Sequence, residues 1–161
     1  MPAINYFGKK VMAPLLLLLA SFSCNGNTSE TASSRKPDEI ISISYSDIGG
    51  EEGEYKIVRI TRDSVHVEAG TTQTKTHHEW KSAISLKTWH SLTSALDINT
   101  LGRIKSSPSK QSVDGYDETF QIRTAEKYHA YVNSYADTVH YKQLQRLKDR
   151  IRIIIPPEYQ P

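Results

Sequence analysis

From Glu39 onward, apolar and polar positions alternate in a way that marks one element after another. Ile41, Ile43 and Tyr45 alternate with Ser42 and Ser44, the period-two pattern of a half-buried strand over 39–46. A polar turn runs from Asp47 to Gly53, and Tyr55 to Ile60 resumes strand character until Arg62 and Asp63 break it. Ser64 to Glu68 forms the returning strand, and Ala69-Gly70 turns the chain again. Thr71 to Trp80 is rich in threonine and alternates through Gln73, Lys75 and His77, which suits an exposed or edge strand.

The period then changes. Ser85 is a suitable N-cap, and Leu86, Trp89, Leu92 and Leu96 follow at helical spacing up to Asp97. Gly102, Pro108, Gly115 and several Ser and Lys residues make 102–115 a loop. Tyr116 to Thr124 alternates through Phe120 and Ile122, Ala125 to Lys127 turns the chain, and Tyr128 to Tyr135 pairs back as a hairpin. Asp137 can cap a last helix carrying Val139, Tyr141, Leu144, Leu147, Ile151 and Ile154, which Pro156-Pro157 stop. The order β-β-β-β-α-β-β-α has no strand–helix alternation. It predicts an α+β fold, an antiparallel sheet of about six strands with two helices packed on one face.

The first residues do not belong to that pattern. Lys9 and Lys10 precede the apolar run Val11–Phe22, which is too short for a membrane span of about 20 residues and ends in small residues before Cys24. This is the layout of a secretory signal peptide over 1–23. The segment Leu19-Ala20-Ser21-Phe22-Ser23-Cys24 resembles the lipobox of bacterial lipoproteins, with Ser21 where an aliphatic residue is usual. With the polar spacer, the Ile-Ser-Ile-Ser-Tyr opening and the Leu-x-x-Trp-x-x-Leu helix, the chain resembles the small lipoproteins of Bacteroidota. That resemblance implies a diacylglyceryl group on the Cys24 thiol and a place in the cell envelope, anchored to the outer membrane with either side open. It implies a location and not a reaction. Residues 24–38 hold no large apolar side chain and read as a flexible tether, leaving 39–157 as one domain.

Charge and composition narrow the function classes. The 161 residues carry 20 Lys and Arg against 18 Asp and Glu, a net charge of +2. Removing 1–23, with its two lysines and no acid, brings the balance to zero, so the chain lacks the positive excess of a nucleic-acid binder. A single cysteine excludes an internal disulfide and any multi-thiolate metal site.

Candidate chemistry is sparse. His77 and His78 are adjacent, so on a strand they face opposite ways, and His66 and His90 fall on different elements with no carboxylate at ligand spacing. His129 and His140 flank the last hairpin and helix. The acidic turns Asp47–Glu54 and Asp114–Glu118 do not match a calcium loop, and solvated turn residues are the simpler reading. No serine lies in a nucleophile motif and no glycine-rich phosphate loop occurs, so neither a catalytic residue, a metal nor a cofactor is expected. The basic run Lys142, Arg146, Lys148, Arg150 and Arg152 suits the solvated face of an amphipathic helix; contact with anionic head groups or a partner is the alternative. Tyr128, Tyr131 and Tyr135 on the last strand, with Tyr116 opposite, form the candidate binding surface, since tyrosine offers apolar area and a hydroxyl together. The reading is a binding module anchored to the membrane through its N-terminal lipid, with an envelope protein as partner. The competing reading is a small envelope enzyme, or an inhibitor of one, using the acidic turns or histidines.

Overall fold

The computed structural model describes residues 36–160. Cys24, the 1–23 signal and most of the 24–38 tether lie outside these residues. The domain is an α+β fold with six antiparallel strands and helices packed on one face. The strands are β1 (Ile40–Gly49), β2 (Glu54–Thr61), β3 (Ser64–Thr71), β4 (Thr76–Ala83), β5 (Tyr116–Thr124) and β6 (Tyr128–Val132). Their order across the sheet is β4-β3-β2-β1-β5-β6. Every strand but β5 pairs with its sequence predecessor; β5 instead crosses to the far side of β1. The crossover holds the helices α1 (Leu86–Thr93) and α2 (Ile98–Leu101), and α3 (Lys142–Ile154) follows β6. None of the described helices is long and apolar enough to cross a membrane.

The register turns the alternation of single strands into rows across the whole sheet. One row on the helix side reads Trp80, Val67, Val58, Tyr45, Phe120 and Tyr131 from edge to edge. The next reads Ser82, Val65, Ile60, Ile43, Ile122 and His129. Their apolar members supply most of the sheet's share of the core. Tyr45 and Phe120, directly opposite each other, pack with rings tilted at 58° and centroids 5.0 Å apart, worth about 0.5–1.5 kcal/mol beyond area burial. Leu144, Leu147 and Ile151, spaced three and four residues apart on α3, are fully buried over these rows, and Trp89 and Leu92 of α1 join them. Each such side chain contributes about 1.5–3 kcal/mol of apolar burial.

The elements depart from the sequence reading in several places. β1 runs on through Asp47 to Gly49, and β3 through Ala69 and Gly70, positions read as turns, to Thr71. Residues 72–75, read as part of the fourth strand, form the turn that shifts β4 to Thr76–Ala83. The first helix stops at Thr93, four residues early; Ala95 and Leu96 close tight i−3 bonds, and Asp97 starts the short α2 by accepting from Asn99 N–H at 3.1 Å. The last strand ends at Val132, because Asn133 adopts a left-handed backbone (φ 49°) and the next three residues form a 3₁₀ turn. Asp137 does cap a turn, accepting from Val139 and His140 N–H, but regular α-helix begins only at Lys142.

Candidate functional site

The four tyrosines do not share a surface. Tyr131 faces the helices with its hydroxyl donating to Leu101 O at 2.8 Å, and burial pushes its phenol up to about 12. Tyr128 is exposed on the opposite face beside Arg123. Tyr135 is not on β6 at all: it sits in the 3₁₀ turn, under the Lys110 ammonium at 4.9 Å and edge-on to Tyr141. Tyr116 pairs with Gly49 on β1, not with β6, and closes over Gly50, where a Cβ would lie 2.6 Å from its hydroxyl. It stands seven residues along β5 from the position opposite Tyr128, roughly 23 Å away.

Of the two acidic turns, Asp47, Asp117 and Glu118 are taken up by the fold, whereas Glu51, Glu52 and Asp114 are exposed. Asp117 and Glu118 point to opposite faces of β5. Burial raises the Asp117 carboxyl, but hydrogen bonds from the Ser109 hydroxyl (2.5 Å), Lys110 N–H (2.8 Å) and the Asn133 amide (2.7 Å) outweigh it and hold it below its ordinary range. Asn133 also donates to Pro108 O and accepts from Glu118 N–H, so this pair pins the 105–115 loop to the end of the sheet.

Glu118 belongs to the third helix-side row, His78, Ala69, Lys56, Asp47 and Glu118, where the apolar rows give way to charge. Its carboxylate accepts from Tyr141 Oη at 2.7 Å and from Lys148 Nζ at 2.5 Å, and the Lys148 ammonium lies 5.2 Å from the Tyr45 ring centroid. Burial pushes the Tyr45 and Tyr141 phenols up, and neighbouring acids add to it. Burial also raises Asp47, against Lys148, and lowers Lys56, whose ammonium donates to Gln160 O. The cluster fastens α3 and the C-terminal turn to the sheet.

Two arginines of the basic run of α3 also make tertiary bonds. Arg146 donates to Ala95 O at 3.3 Å, and Arg150 donates to Ser91 O and Ser94 Oγ, so both satisfy groups at the end of α1. Lys142 and Arg146 are nonetheless exposed, as a solvated face requires, whereas Lys148 and Arg150 are half-buried against their partners.

The other face of the sheet carries no helix. Its central rows read Lys81, His66, Arg59, Ser44, Gln121 and Ala130, then Glu79, Glu68, Ile57, Ser46, Thr119 and Val132. Over β2 to β4 the first row holds Arg59, His66 and Lys81, and the second holds Glu68 and Glu79 on β3 and β4 beside Ile57 on β2. They interlock: Arg59 with Glu68, His66 Nε2 with Glu79 at 2.5 Å, Lys81 Nζ with Glu79 at 2.5 Å. The Lys81 contact, helped by His66 and opposed by slight burial, holds Glu79 below its ordinary range. In the third row Tyr55 reaches across Gly70 to His77 Nδ1 at 2.8 Å; a Cβ on Gly70 would stand 2.7 Å from the Tyr55 hydroxyl and 2.1 Å from Thr76 O. Sequence reasoning missed that His66 lies between two carboxylates, because the β3–β4 turn length sets that contact and residue spacing does not. Among the described residues no group of three His, Cys, Asp or Glu is arranged to hold a metal ion. This face can therefore offer a patterned array of hydroxyls, amides and alternating charge. Compared with protein-family models and with curated proteins, the chain matches none.

Proposed function

We propose that the chain is a lipid-anchored cell-envelope protein whose domain is an interaction module, and that it meets its partner with the helix-free face of the sheet. The observation that carries this reading is the composition of that face. Fixed strands display Ser44, Ser46, Thr119, Gln121, Arg59 and Arg123, half-buried or exposed, with no apolar row to drive collapse onto a lipid or an oily ligand. Hydroxyl, amide and mixed charge on a rigid plane suit a protein partner read by hydrogen bonds and charge pattern. The anchor follows from the lipobox-like segment ending at Cys24, and the polar residues after it give the domain reach from the bilayer.

Mild in-cell cross-linking of the native protein tests the reading, with a Cys24→Ala variant beside it. A defined envelope protein joined to the native chain and lost from the variant is the expected result. Recovery of the uncross-linked chain alone, with an efficient reagent at native expression, would refute it.

A further inference from the structure

The two edges of the sheet are finished differently. β6 is five residues long, and its last residue, Val132, is met by the loop: Ser107 N–H donates to Val132 O at 2.9 Å and Val132 N–H to Ser106 Oγ at 3.0 Å. β4 is eight residues long and straight in register, with neither proline nor bulge. Beyond it, among the described residues, no other strand or loop pairs with the outward backbone groups; only the Ser82 hydroxyl reaches one of them, donating to Ala83 O at 3.2 Å. Natural edges are blocked by charged side chains, prolines, bulges, inward-pointing charges or covering loops, and β4 carries one charge of each sign, Glu79 and Lys81, on its open face. On its core side β4 shows Thr76, His78, Trp80 and Ser82, and no formal charge blocks approach there.

The phase of the ladder identifies the free groups. Ile84 N–H donates to Asp63 O at 3.0 Å, so Ser82, Trp80 and His78 exchange bonds with β3. His77, Glu79, Lys81 and Ala83 then direct N–H and C=O away from the sheet. Antiparallel pairing with a second β4 about a two-fold axis admits only registers that bring these four residues opposite one another. Centred on Glu79 or on Lys81, such a register sets like charges face to face. Centred on Trp80, it sets Glu79 against Lys81 of the second copy and the reverse, His77 against Ala83, and Trp80 against its own symmetry mate at a close, non-hydrogen-bonded position. On the open face it sets the Lys81 row of one copy against the Glu79 row of the other, so opposite charges meet at the junction.

We infer that β4 is a self-association edge: two copies of this chain join antiparallel through residues 77–83, centred on Trp80, into one continuous twelve-stranded sheet. This goes beyond the partner-binding reading and uses a different surface, the edge and not the face.

Analytical ultracentrifugation of the full-length protein in detergent, with zero-length carbodiimide cross-linking of mixed unlabelled and ¹⁵N-labelled chains, tests it. The expected result is a dimer whose mixed-isotope cross-link joins Glu79 to Lys81. Lys81→Glu should weaken association about tenfold, because the axis repeats the repulsion, and Glu79→Lys/Lys81→Glu should restore it. Glu79→Pro removes an outward N–H together with the carboxylate that pairs with His66 and Lys81, while the inward β3–β4 ladder bonds stay, so it should abolish the dimer and leave the strand content seen by circular dichroism in place. A protein that stays monomeric at its highest soluble concentration would overturn the inference. So would a dimer indifferent to Glu79→Pro, or one whose mixed cross-links fall elsewhere.

Discussion

Replacing Lys148 by methionine isolates the contact that fastens α3 to the charged row of the sheet. The ammonium side chain is 16% exposed and its partner Glu118 9%, so solvent screens the pair little. Removing the lysine leaves a shielded carboxylate whose only remaining donor in the cluster is Tyr141 Oη, at 2.7 Å. Breaking a buried pair in this way costs about 3–5 kcal/mol, and the surviving Tyr141 bond places Lys148→Met near 3 kcal/mol. Glu118→Gln differs: the amide oxygen still accepts from Tyr141, and the lysine can extend towards water, so the cost should be about 1 kcal/mol. The double variant should recover part of the loss, since no unpaired buried charge remains. Urea unfolding followed by circular dichroism measures all three, and a loss of about 3 kcal/mol would lower the thermal midpoint by about 10 °C. A Lys148→Met cost below about 1 kcal/mol, or one no larger than that of Glu118→Gln, would refute the account of this pair.

Other consequences follow from the same geometry. Burial raises the Asp47 carboxyl, so the folded state holds its proton more tightly than the unfolded chain and stability falls as pH rises through the raised value. Asp47→Asn should therefore be more stable than the native protein at neutral pH, with the gap closing below about pH 4 in pH-dependent urea titrations. Gly70→Ala should cost about 2 kcal/mol and separate Tyr55 from His77, because the added Cβ meets the Thr76 carbonyl; thermal melts and the His77 ring signals in NMR report both effects. Asp117→Ala should release the 105–115 loop, with amide exchange at Lys110 at least tenfold faster and β1 and β2 protection unchanged. Unchanged exchange there would show that Asn133 alone holds the loop.

The strands were legible because each carries its alternation locally. Ile43 and Tyr45 against Ser42 and Ser44 needs no tertiary information, and an edge strand was legible through His77 to Trp80, although the threonine-rich start of that run forms the β3–β4 turn. What lay beyond local pattern was decided by a backbone angle or by register. Asn133 looks like a strand residue, yet its left-handed conformation, bonded to Asp117 and Glu118, turns Tyr135 out of the sheet. The basic residues of α3 read as a solvent face because the carbonyls that Arg146 and Arg150 satisfy lie about 50 residues away in sequence, a separation periodicity does not register. The Arg59–Glu68–His66–Glu79–Lys81 array is likewise invisible until two hairpin registers are known.

The central claim is that the helix-free face meets the partner, and site-specific photo-cross-linking in cells tests it most directly. A photoreactive residue is placed at Gln121 on that face, and another at Lys142 on the helix side. Gln121 lies on β5, four strands from β4 and so roughly 19 Å from the proposed self-association edge, which keeps the two readings apart. The account expects a discrete adduct to an envelope protein from Gln121 and none from Lys142. Adducts from Lys142 alone, or equal ones from both positions, would contradict it.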